Sequence, residues 1–373
     1  MRPTLFLSLT IFLLSGCTGA QPKESIPLKE ALSGKFLIGT VLNAKQITGK
    51  DTLSTGIILK HFNSIVAENC MKSANIQPAE GVFDFALADQ FVAFGEKHGM
   101  QIIGHTLIWH SQAPSWLFVD ENGNDVSREV LIERMRNHIF TVVGHYKGRV
   151  HGWDVVNEAI EDDGSWRNSK FYQIIGKEYV SLAFQFAREA DPDAELYYND
   201  YSMAHQGRRE GVVRMVRELQ SEGIKVDGIG MQGHMLMDFP SFEEFEKSIV
   251  AFSKLGVKVM ITEMDISVLP WPMPQQGADV AMQADYFDKL NPWPGGLPDD
   301  VARELHEKYA GFFRLFLRHH DKISRVTMWG VTDHQSWKNN WPVKGRTDYP
   351  LLFDRNYQPK PIVETIIREA SSY

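Results

Sequence analysis

Val150-His151-Gly152-Trp153-Asp154-Val155-Val156-Asn157-Glu158 is an apolar run ending in a carboxylate, and Val257-Lys258-Val259-Met260-Ile261-Thr262-Glu263-Met264-Asp265 repeats that design further along the chain. Both read as strands buried on two faces, the pattern of a parallel sheet. Phe36–Leu42, Ser64–Glu68, Gln101–Trp109, Glu195–Asp200, Gly228–His234 and Arg325–Asp333 bring the strand candidates to eight. Stretches of helical period lie between them. Ser241, with Glu244 three residues on, forms a capping box that opens a helix running to about Ser253. Val301, Leu305, Tyr309, Phe312 and Phe316 trace one apolar stripe, preceded by Asp299 and Asp300 as cap residues. Eight strand–helix beats predict a single (β/α)8 TIM barrel. A doubly wound sheet is the alternative, but it calls for a glycine-rich phosphate turn after an early strand. The first strand runs instead into Leu42-Asn43-Ala44-Lys45.

The chain has 373 residues, 43% of them hydrophobic and 23% charged, a mixture that excludes a disordered, collagen-like or polytopic membrane protein. The net charge of −8 is broken by no long basic run, which argues against nucleic acid as a partner. Nine tryptophans suit either a core or a surface that stacks on sugar rings.

Near the amino end, Leu5–Leu14 is an apolar run interrupted by Ser8 and Thr10, too short for a spanning helix and suited to an export signal. The following Leu14-Ser15-Gly16-Cys17 resembles the lipobox of bacterial lipoproteins. That resemblance implies a signal peptide over 1–16 and lipidation at Cys17; the stretch over 17–29 reads as a tether, and the barrel domain takes up 30–373. The expected location is the cell envelope, at the outer membrane or cell surface, with secretion as the alternative. Cys70 is expected to be a buried hydrophobe rather than a nucleophile. The segment from Leu269 to Asp300 carries six prolines together with Trp271 and Trp293, and on a barrel it either rises over the active face or forms a structural flap.

Barrel enzymes keep their chemistry at the carboxyl ends of the strands. Glu158 and Glu263 stand there on the fourth and seventh candidates, on opposite walls. Two such carboxylates suit glycoside cleavage, one protonating the leaving oxygen and the other attacking the anomeric carbon. Asp265 lies two residues past Glu263, on the same face of an extended strand.

Trp153-Asp154-Val155-Val156-Asn157-Glu158, Ile261-Thr262-Glu263-Met264-Asp265 and His105-Thr106-Leu107-Ile108-Trp109-His110-Ser111-Gln112 resemble family 10 glycoside hydrolases, the retaining endo-β-1,4-xylanases. The likeness runs from about Phe36 to Ile367. It implies Glu158 as acid/base, Glu263 as nucleophile, and Asn157, His234 and Asp265 in support. It further assigns Glu68, Asn69 and Lys72 to non-reducing-side sugars, and His105, Trp109 and Gln112 to the cleavage subsite. Gln232 contacts the sugar, Tyr201 stands on the leaving-group side, and Trp329 and Trp337 roof the subsite against a glucose hydroxymethyl. Read alone, Lys72 is a surface charge. The implied substrates are xylan and xylo-oligosaccharides, acted on by a monomer.

No cofactor or metal is expected, because no His-Glu-x-x-His or Cys-x-x-Cys spacing occurs. A glucanase of the same clan and a non-catalytic glycan-binding lipoprotein are the competing readings. The presence of both glutamates argues against the second. The length of the 269–300 loop leaves the leaving-group subsites open.

Overall fold

The computed structural model describes residues 26–272 and 288–373. Cys17 and the centre of the 269–300 loop therefore lie outside the described residues. Strands β1 (Leu37–Leu42), β2 (Ser64–Ala67), β3 (Gln101–Trp109), β4 (Gly152–Asn157), β5 (Glu195–Asp200), β6 (Gly228–Met231), β8 (Lys258–Ser267) and β9 (Ile323–Met328) pair side by side. A β6–β8 pairing closes the ring, and every ladder is parallel. Short β7 (His234–Leu236) lies on β8 outside the ring. The expected (β/α)8 barrel is thus the fold.

Two apolar layers hold it. The larger lies between the sheet and the surrounding helices, while Val41, Val66, Ile103, Tyr197, Met260 and Trp329 form a separate cluster from strands around the barrel. Close packing depends on glycine at one contact in particular. A Cβ on Gly104 would lie 2.1 Å from Cε3 of Trp153, whose fully buried ring occupies that space. Leu28, in helix Leu28–Ala31, is fully buried, so packing begins inside the stretch read as a tether.

Several strand ends move by one or two residues, and three further differences from the sequence reading have a local cause. The sixth candidate breaks after Met231, where Gly233 takes φ +81° and the pairing slips by one residue between Met231↔Ile261 and His234↔Asp265. The eighth ends at Met328 rather than Asp333, because Gly330 turns the chain at φ +146°. Helix Asp299–Arg318 has Pro298 at its N-cap, which places Asp299 and Asp300 in the first turn, near the positive end of its dipole. Ser241 does cap helix Phe242–Ser253, accepting from the Glu244 N–H, while the Glu244 carboxylate bonds Arg209 and Lys247.

Candidate active site

Glu158 follows the last residue of β4, with its backbone at φ +62°. Left-handed geometry is costly for a side chain with a Cβ. Two bonds hold it there: the Glu158 N–H donates to Asn199 O at 2.9 Å, and Arg167 Nε donates to Glu158 O at 2.7 Å. On its carboxylate, Oε2 accepts from Trp109 Nε1 at 2.8 Å, and Oε1 accepts from Gln232 Nε2 at 2.9 Å and Asn157 Nδ2 at 3.2 Å. His110 Nε2 lies 4.0 Å from Oε2.

Glu263 lies within β8, buried at 5% exposure. Its Oε1 accepts from Asn199 Nδ2 at 2.9 Å, and its Oε2 lies 3.0 Å from His234 Nε2. The other ring nitrogen of His234 lies 3.1 Å from Asp265 Oδ2. Asn157 Oδ1 receives both Asn199 Nδ2 at 3.0 Å and Gln232 Nε2 at 3.2 Å, so one run of amides joins the two glutamates.

Charge placement separates the environments. Burial pushes the Glu263 carboxyl up, but the hydrogen bond from His234, the imidazoles of His105 and His234, and the Asn199 amide outweigh it and leave the pKa below the usual carboxylate range. Burial also disfavours a charged His234, yet Asp265 and Glu263 overcome it and raise the imidazole to about 9. At neutral pH the trio is therefore carboxylate, imidazolium, carboxylate. Asp265 remains ionised despite its burial through His234 and Lys338, the latter with Nζ at 3.4 Å.

Lys72 is not the surface charge that its residue type suggests: it is only 7% exposed. Its Nζ donates to Asn69 Oδ1 at 3.1 Å and Gln112 Oε1 at 2.9 Å, and lies 5.1 Å from the Trp109 ring centroid. Burial lowers its pKa, opposed by the fields of Glu263, Glu68 and Glu158. Burial raises the Glu68 carboxyl, opposed by Lys72. Glu68, Trp329 and Trp337 line one hollow together with Val41, Asn43 and Gln46. His105 pairs with Asp154 at 2.9 Å and meets Trp329 edge-on at 5.5 Å. The Trp337 N–H donates to Asp265 Oδ2 at 2.8 Å.

Tyr201 stands apart from this cluster. Its hydroxyl accepts from Arg167 at 2.8 Å, and its ring lies 3.9 Å from the Arg208 guanidinium. Cys70 is buried, with its thiol pushed up to about 12 first by burial, and does not suit a nucleophile. A cavity of about 650 Å³, lined by residues of helices Asp299–Arg318 and Pro361–Ala370, holds neither glutamate.

Sequence reasoning missed Asn199, Arg167, Asp154 and Lys338. Asn199 sits at the carboxyl end of β5, so the rule that singled out Glu158 applies to it equally. Arg167 lies outside regular structure and Lys338 in a single 3₁₀ turn, so neither carries a periodic signal.

The profile of glycosyl hydrolase family 10 matches residues 27–369. The chain is 47% identical over 368 residues to Endo-1,4-beta-xylanase A of Xylanibacter ruminicola, covering 99% of each chain. It is 40% identical to Endo-1,4-beta-xylanase of Geobacillus stearothermophilus, over 91% of this chain and 97% of that one. Among solved structures it resembles a GH10 endoxylanase retrieved from a sugarcane soil metagenome, with a TM-score of 0.87 and 42% identity, covering 93% of this chain and all of the other. Paenibacillus barcinonensis xylanase XynB, solved with a conduramine derivative, aligns with a TM-score of 0.83 and 36% identity over 92% of this chain and 98% of that one. With likeness across nearly its whole length, the chain belongs to glycosyl hydrolase family 10.

Proposed function

We propose that this chain is an endo-1,4-β-xylanase that hydrolyses internal bonds of xylan with retention of configuration, the stereochemistry by which its family acts. The observation that carries the residue roles is the pair of glutamates, one just past β4 and one within β8, joined by amides and held in unlike surroundings. Glu263, ionised beside an imidazolium, is the nucleophile. Its carboxylate attacks the anomeric carbon while the glycosidic C–O bond breaks and Glu158 gives its proton to the departing oxygen. Glu158, now a carboxylate, takes a proton from water, whose oxygen displaces Glu263 from the same carbon. Two inversions leave net retention.

Lys72, Asn69 and Glu68 hold hydroxyls of the sugars on the non-reducing side. Trp337, tied to Asp265 through its N–H and packed on His234, is held in place and crowds the position of a hydroxymethyl group, which favours xylosides over glucosides. Tyr201, clamped by two arginines, takes the leaving-group side. Product analysis on unbranched xylan tests the whole reading. Short oligosaccharides released as the β-anomer are expected; α-anomers, or xylose alone, would refute it.

The same enzyme is exported and lipid-anchored at Cys17 to the cell envelope. The apolar run Leu5–Leu14 followed by Leu14-Ser15-Gly16-Cys17 supports this part.

A further inference from the structure

Three tryptophans form a row that leads away from the catalytic carboxylates. Trp337 packs on His234 with ring centroids 5.0 Å apart. Trp341 stacks on Trp337 at 5.2 Å with planes 22° apart, and Trp271 meets Trp341 at 5.3 Å and 64°. The inner end is sheltered, whereas Trp341 is 50% and Trp271 46% exposed. Trp271 comes from the segment after β8 and Trp341 from the segment after β9. Buried Arg346 clips the two segments together, donating to Pro270 O at 3.0 Å and Trp341 O at 3.5 Å.

Water is a poor partner for two half-open indoles held side by side. Stacking of Trp341 on Trp337 makes this surface continuous with the proposed subsite rather than a separate patch. A flat ligand with an apolar face and a polar rim matches it: the C–H face of a pyranose lies on an indole, and the Trp N–H meets a hydroxyl. The polymer already threaded through the neighbouring subsite supplies such rings.

We propose that Trp271 and Trp341 form an outer sugar-binding surface that holds a xylosyl unit of the same xylan chain, away from the bond being cleaved. This rests on the xylanase reading above. The contact is remote from the reacting carbon and is made equally in ground and transition states, so it acts on KM rather than kcat. The competing role for the row is to prop Trp337, which would affect every substrate alike.

The test is the ratio of kcat/KM on xylohexaose to kcat/KM on an aryl β-xylobioside, measured for wild type, Trp341→Ala and Trp271→Ala. A stacking contact predicts that the ratio falls on the order of 3- to 10-fold in each variant, with the change in KM. Trp271→Ala, at the exposed outer end of the row, keeps the test available if Trp341→Ala disturbs Trp337. A ratio unchanged in Trp271→Ala, whether both substrates slow together or neither does, overturns the proposal. Failure of the underlying xylanase reading is distinguishable, since the wild type would then not hydrolyse unbranched xylan.

Discussion

Glu158 and Glu263 differ less in residue type than in what surrounds them. Trp109, Gln232 and Asn157 donate to the first, and a charged His234 and Asn199 sit against the second. Removing the proton donor hurts most when the leaving group is poor. Glu158→Ala should therefore still form the covalent intermediate from an aryl xyloside with an acidic phenol, then stall, and azide should restore turnover as the β-azide. Glu263→Ala should lose activity on good and poor leaving groups alike, with rescue yielding the α-azide. Exchanged behaviour would reverse the two roles.

The histidine makes a separate residue-scale prediction. Its folded pKa, near 9 against an ordinary 6.5, means that its contribution to stability is complete below about pH 6.5 and is lost as pH rises through about 9. His234→Gln removes the donor that holds Glu263 down. The acid limb of the kcat/KM profile should consequently move to higher pH, because Glu263 protonates earlier. An acid limb that stays in place in this variant would show that Glu263 owes its ionisation to other groups.

Single elements position these side chains. The one-residue slip between β6 and β7 places His234 opposite Asp265, and the left-handed turn after β4 carries Glu158 beyond the strand. Away from the site, elements contribute stability rather than chemistry. Ser241 Oγ satisfies an otherwise orphaned N–H at the start of helix Phe242–Ser253, at 3.2 Å. Ser241→Ala should cost about 1 kcal/mol, seen as a lower denaturation midpoint at constant m-value, with kcat unaffected. An unmoved midpoint would mean that water replaces the cap at no cost.

At the scale of the whole molecule, closure of the parallel ring brings residues from β2, β3, β4, β5 and β8 to one face. Anchoring belongs to this scale as well. Cys17→Ser should release the enzyme from the membrane fraction or arrest its maturation, measured by detergent partition and by the mass of the product. Unchanged partition with an unaltered mature mass would remove the lipid anchor from the proposal while leaving the hydrolase reading untouched.

Local pattern alone determined the strand–helix alternation, the barrel and the carboxylates carried just past β4 and within β8, because strand period and residue type along a strand are properties of short windows. Extended runs of Val, Ile and Met admit few other structures, and a carboxylate after such a run has a defined place on a barrel. Other features waited on tertiary structure. Lys72 is buried only because Asn69, Gln112 and Trp109 converge on it from two segments of the chain. Asn199 reaches Glu263 only once the β6–β8 pairing closes the ring, and Arg167 secures the Glu158 carbonyl from an irregular segment that carries no periodic signal. The Trp337–Trp341–Trp271 row depends on Arg346 joining two separate loops. The physical reason is that periodicity records which face of an element is buried, whereas the partner met across a site is set by ring closure and loop path, which no short stretch of sequence encodes.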